Sequence, residues 1–167
     1  HERPAYEGCV SWPMLADLYS PWGPPCDRLK FTHVFHQVRN PLHVITSWYT
    51  NLKNLDSDEW ILIRENVPEM SREDSLIVHC AKYWYYWNLK AEAMAEWRYR
   101  VEDLNKVLFE FKKRLDCDLY PSILQRVPKN KNSWASTQNK IKWADLKEAL
   151  PEDLFLNILS MALRYGY

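Results

Sequence analysis

The sequence predicts an α/β domain, rich in helix with a small sheet, on three observations. Residues 31–38, FTHVFHQV, are β-branched and aromatic and run directly into a helix-start signal. Leu76, Cys80, Trp84, Trp87, Ala91 and Met94 recur at helical steps, which marks a long helix with one buried face. WRYRV follows, with Trp97, Tyr99 and Val101 alternating against Arg98 and Arg100, the pattern of a short strand. At 167 residues the chain favours one domain, large enough to bury a core.

Taken in order, residues 1–30 are irregular and proline-rich, apart from a short helix predicted over Trp12–Leu18 with Pro13 in its first turn. After the strand at 31–38, Asn40 is a good N-cap and Pro41 suits the first helical position. That helix should reach about Asn51, with Leu42, Ile45, Trp48, Tyr49 and Leu52 on one stripe. A short helix is predicted over 57–65. Ser71 is then expected to cap the long helix, with Asp74 completing a capping box. Helical spacing returns over 104–115 through Val107, Leu108, Phe111 and Leu115, and Pro121 opens a further short helix. Residues 128–142 are polar and weakly periodic, which predicts a long surface loop. Residues 143–150 and 151–165 are helical, and the sequence closes on Tyr-Gly-Tyr.

Composition narrows the function classes. Lys and Arg total 22, as do Asp and Glu, so no global field attracts nucleic acid or an anionic membrane. No run approaches the ~18 apolar residues of a membrane helix, and no secretory signal opens the sequence. The first residues are His-Glu-Arg-Pro, without methionine, so the N-terminus is expected to be cut, processed or incompletely recorded. Cys9, Cys26, Cys80 and Cys117 lack the close spacing of a zinc ribbon or redox dithiol. Free thiols and a cytoplasmic location are expected, and a Cys9–Cys26 disulfide stays open. His33, His36, His43 and His79 have no zinc-ligand spacing, so no metal is expected.

One constellation points to chemistry. Arg39 ends the strand, and Ser47 lies eight residues on, inside the following helix. The first N–H groups of a helix are unpaired and carry partial positive charge, so an anion is stabilised there. A guanidinium binds phosphate through two hydrogen bonds. Ser47 returns to nearly the face of Asn40, ~10 Å further along the axis. One phosphate could touch both side chains. The alternatives are an Arg39–carboxylate pair and a Ser47 hydroxyl bonded to a backbone carbonyl.

Arg39-Asn40-Pro41 with Ser47 resembles the 3′-phosphate motif of the sulfotransferases that use 3′-phosphoadenosine 5′-phosphosulfate. Tyr83-Trp84 with Trp87-Asn88, then WRYRVEDL, resembles that family's long helix and the strand ending in Glu-Asp-Leu. Ile141-Lys142-Trp143-Ala144-Asp145-Leu146 and the closing Tyr165-Gly166-Tyr167 are similar to the end of bacterial sulfotransferase-like chains. The resemblance covers roughly residues 31–167. It implies a P-loop nucleotide-kinase-like fold with a small parallel sheet. It also implies transfer of a sulfuryl group to a hydroxyl or amine of a small-molecule or glycan acceptor, without a metal.

The family's other half-site is missing. The 5′-phosphosulfate normally sits in a phosphate loop after the first strand, and here Gly8, Gly23 and Gly166 supply no such loop. The chain therefore reads as the portion following that loop, whether as an incomplete record, a cut chain or a natural loss. Without the first strand, the strand at 31–38 would expose an edge, for which homo-oligomerisation or a rearranged N-terminal segment is a remedy. The resemblance puts the catalytic base at Glu2, with His1 as the alternative. Arg126, Lys129, Lys131, Lys140 and Lys142 form an acid-free basic stretch. The family's late basic segment closes over the 3′-phosphate, which implies that role for Arg126, Lys129 and Lys131, although the family's Arg-Lys-Gly signature is absent; a solvated face, or a loop that holds a sulfated product or an anionic acceptor, is the alternative. A non-catalytic module derived from the family, acting through oligomerisation or partner binding, is the competing expectation.

Overall fold

A computed structural model describes residues 33–51, 60–61, 63–64, 67, 69–116, 122 and 140–167. Their order is β1 (Phe35–Val38), α1 (Pro41–Asn51), α2 (Leu76–Met94), β2 (Trp97–Arg100), a 3₁₀ turn (Val101–Asp103), α3 (Leu104–Leu115), α4 (Trp143–Ala149) and α5 (Glu152–Arg164). Trp60, Ile61, Ile63, Arg64 and Ser122 are also helical. The α/β character and the parallel sheet agree with expectation: β1 pairs parallel with β2, Phe35 opposite Trp97 and Val38 opposite Arg100. A parallel pair needs a crossover, and α2 lies in the connection that supplies it.

The period of two along β1 assigns its faces. His36 and Val38 are buried. His36 faces Asn88 of α2 and Tyr165 at the end of α5. Phe35 points the other way, edge-on to Trp97 and Phe111 at 5.5 Å each. Tyr99 meets Phe111 at 4.7 Å, so α3 covers that face with an aromatic cluster. The main core lies on the α2 side. Ile45 of α1, Cys80, Ala81 and Trp84 of α2, Leu146 of α4, and Ile158, Met161 and Ala162 of α5 are all buried there. Each large apolar side chain buried in this way contributes ~1.5–3 kcal/mol.

Some sequence expectations shift. The strand begins at Phe35, since His33 and Val34 lie outside it. Val34 still accepts a hydrogen bond from the Glu96 N–H at 3.0 Å. Tyr49 is 40% exposed, so it leaves the buried stripe of α1. Met94 is exposed too, at the last residue of α2. Ser71 does not cap α2. The Ser71 N–H donates to the Asp74 carboxylate at 2.9 Å and the Glu73 N–H donates to Ser71 Oγ at 3.2 Å, but these bonds close a turn ahead of the helix. Ser75 is the N-cap, without a side-chain bond. Asp74 instead ties that turn to α2 through Lys82 Nζ at 2.8 Å.

His36 carries a pH dependence. Its ring bonds Asn88 Oδ1 through Nε2 at 2.8 Å. The Asn88 amide nitrogen donates to the Trp84 carbonyl, so Asn88 Oδ1 accepts and Nε2 bears the proton. Burial lowers the imidazole below its ordinary 6.5, with the Asn88 bond and Glu92 opposing and Arg98 adding to the fall. The unfolded chain then binds more protons than the folded one as pH drops through 6.5, so stability is lost on the acid side of that value. Urea midpoints from pH 8 to pH 5 should fall more for the wild type than for His36→Gln. Equal slopes would show that His36 carries no such linkage.

Candidate anion site at the Arg39 joint

Arg39 follows the last residue of β1, at the carboxyl end of the parallel pair. In open α/β sheets ligands bind at this end. The backbone here is fixed from three directions. The Val38 carbonyl lies 3.2 Å from the Tyr167 hydroxyl. The Arg39 carbonyl accepts from the Trp84 indole N–H at 3.2 Å. The Asn40 N–H donates to Glu102 Oε1 at 3.4 Å, and Tyr167 donates its hydroxyl proton to Glu102 Oε2 at 2.6 Å. Burial, then the Glu102 hydrogen bond, raise the Tyr167 phenol above its usual range and keep it protonated.

The N-terminus of α1 differs from its expected role. Asn40 is indeed the cap: its Oδ1 accepts from the Leu42 N–H at 2.9 Å. Its carbonyl accepts from the N–H groups of His43 and Val44, both at 3.1 Å. Pro41 has no N–H to offer. The first-turn donors are thus satisfied by the chain itself, and the Glu102 carboxylate already sits at this end. An anion near Arg39 would therefore rest on side chains, not on the helix mouth.

The two motif side chains are differently placed. Arg39 is exposed, and its guanidinium has no ion-pair or hydrogen-bond partner among the described residues. Neither the expected carboxylate alternative nor a direct Arg39–Ser47 bond is present there. Ser47 is half-buried in α1. Its carbonyl accepts from Thr50 Oγ1 at 3.1 Å and Asn51 Nδ2 at 2.8 Å, while its hydroxyl bonds no described residue.

Sequence reasoning did not foresee one contact beside Ser47. The Ile141 N–H donates to Thr46 Oγ1 at 3.1 Å, across 95 positions. Ile141 is buried while Lys140 and Lys142 are exposed, so the end of the basic stretch is anchored against the same turn of α1. Glu102, Tyr167, Trp84 and Thr46 were not predicted as parts of this site. The only signals for the first two were the Val101-Glu102-Asp103 and Tyr-Gly-Tyr segments, which periodicity cannot join.

Glu2, His1, Arg126, Lys129 and Lys131 lie outside the described residues, as do Cys9, Cys26 and Cys117. Cys80 is free and buried, and burial pushes its thiol up to about 12. Among the described residues no three His, Cys, Asp or Glu side chains gather into a metal site. None of the described helices is long and apolar enough to cross a membrane. Compared with protein families, curated proteins and solved structures, the chain matches none of them.

Proposed function

We propose that this chain is a sulfotransferase-like domain that binds the 3′-phosphate of 3′-phosphoadenosine 5′-phosphosulfate. One observation carries the reading: an exposed guanidinium without a partner among the described residues stands where a parallel strand meets a helix, and that helix carries Ser47. The anchoring of Lys140–Lys142 at Thr46 adds basic charge to the same region. The parent reaction moves the sulfuryl group in line. The acceptor oxygen or nitrogen forms a bond to sulfur as sulfur's bond to the phosphate oxygen breaks, and Glu2, or His1 in its place, takes the acceptor's proton. Charge growing on the departing phosphate needs fixed positive groups. Arg39 and Ser47 anchor the remote ribose phosphate, with Arg126, Lys129 and Lys131 shielding it.

Calorimetry with adenosine 3′,5′-bisphosphate tests the half-site. Arg39→Ala should weaken binding at least tenfold, ~1.4 kcal/mol, and Ser47→Ala by a smaller factor in the same direction. Unchanged affinity in Arg39→Ala would end the assignment.

A second reading is a non-catalytic module acting through partner binding or self-association. It has its own observation: Leu156 and Leu163, seven apart on α5, are 53% and 65% exposed, and Phe109 of α3 is 77% exposed. Sedimentation of the wild type against Leu156→Lys/Leu163→Lys decides it. A concentration-dependent oligomer lost in the double variant would favour that reading.

A further inference from the structure

The geometry points to Glu102 and Tyr167 as positioning residues that set where the Arg39 guanidinium stands. This rests on the nucleotide reading above. Arg39 is one residue between two peptide groups, and both meet this pair: the Asn40 N–H donates to Glu102, and the Val38 carbonyl lies 3.2 Å from the Tyr167 hydroxyl oxygen, whose one proton goes to Glu102. The two side chains hold each other at 2.6 Å. Tyr167 is in turn fixed from the neighbouring strand. The Arg100 guanidinium lies 5.7 Å from its ring centroid and hydrogen-bonds the Gly166 carbonyl. Gly166 takes φ +81°, and a Cβ there would stand 3.1 Å from Arg100 Nη1. A glycine is therefore required for the chain to turn and deliver the Tyr167 hydroxyl to the joint.

The consequence is preorganisation. A flexible surface arginine spends binding energy on being ordered, and a fixed backbone beneath it removes part of that cost. The Glu102 carboxylate has both oxygens engaged, by the Asn40 N–H and the Tyr167 phenol, and forms no ion pair with Arg39, so the guanidinium is left for an anion. Neither residue touches the nucleotide. Both act through the main chain of residues 38–40.

Tyr167→Phe isolates the effect, since it keeps the ring beside Arg100 and removes only the hydroxyl. Two measurements on the full chain are needed: amide hydrogen exchange at Asn40, and calorimetric affinity for adenosine 3′,5′-bisphosphate. The variant should speed Asn40 exchange at least fivefold and weaken the nucleotide at least threefold. In an Arg39→Ala background the same change should leave affinity unaltered, which a general loss of structure would not produce. Unchanged Asn40 exchange overturns the inference whatever the nucleotide does. Faster exchange with undiminished affinity, in a chain whose binding needs Arg39, overturns the positioning role alone. Absence of binding in the wild type, or binding indifferent to Arg39→Ala, overturns the nucleotide reading and the positioning role with it.

Discussion

Replacing Trp84 by alanine is expected to destabilise the protein by ~3–5 kcal/mol, the range for a large aromatic removed from a core. Trp84 is 2% exposed. It lies on the helix that packs against β1, α1, α4 and α5, and its ring meets Tyr165 edge-on at 5.9 Å. The same side chain donates to the Arg39 carbonyl, so the substitution strips a partner from the joint while opening a cavity. Trp84→Phe separates the two effects. It restores most of the apolar volume but leaves that carbonyl without its donor, at a cost of ~1–3 kcal/mol. Urea unfolding followed by circular dichroism gives both numbers. A loss below ~1.5 kcal/mol for the alanine variant would mean that the packing around α2 relaxes freely, contrary to a close-packed centre.

Reversing the charge at Arg39 should have the largest effect on ligand binding with almost none on folding. On the proposed nucleotide reading, Arg39→Glu removes the attraction and sets a like charge against the phosphate. Affinity for adenosine 3′,5′-bisphosphate should fall at least a hundredfold, ~2.8 kcal/mol by the same conversion. Arg39 is exposed and bonds no described residue through its side chain, so thermal stability should move by no more than ~0.5 kcal/mol. The pair of results is diagnostic. A large stability loss would reveal a structural role for the guanidinium, and preserved affinity would place the phosphate elsewhere.

Much of the local structure was legible because short-range chemistry decides it. Asn40 before Pro41 started α1 where expected, and helical spacing set both ends of α3. Alternation in WRYRV marked β2, although Val101 passes into the 3₁₀ turn. Errors arose where two local solutions compete. The Asp74 carboxylate accepts from the Ser71 N–H as a capping box would have it, but the Ser71 hydroxyl takes the Glu73 N–H instead, so a turn satisfies both side chains, and α2 is capped four residues later at Ser75. The anion-site expectation was partly misled in the same way. A helix N-terminus reads as a set of free donors, yet Asn40 uses them, and Glu102 arrives from 62 positions away. No periodicity can announce such a meeting. Nor could it announce that Thr46 and Ile141 touch, which is what gives residues 140–142, the end of the basic stretch, an address on α1.

The Tyr167 hydroxyl reaches Val38 across 129 positions. A contact that distant in the chain is slow to form, because so much loop must close before it is rewarded. During synthesis, β1, β2 and α2 emerge before residues 165–167 exist, with Arg39 on a joint that still lacks its Tyr167 contact. Maturation of the arginine's surroundings is therefore a late event, separable in time from formation of the sheet. Because Trp84 touches both Tyr165 and the Arg39 carbonyl, a probe attached near residue 40 should settle together with the tryptophan signal of the core and not before it.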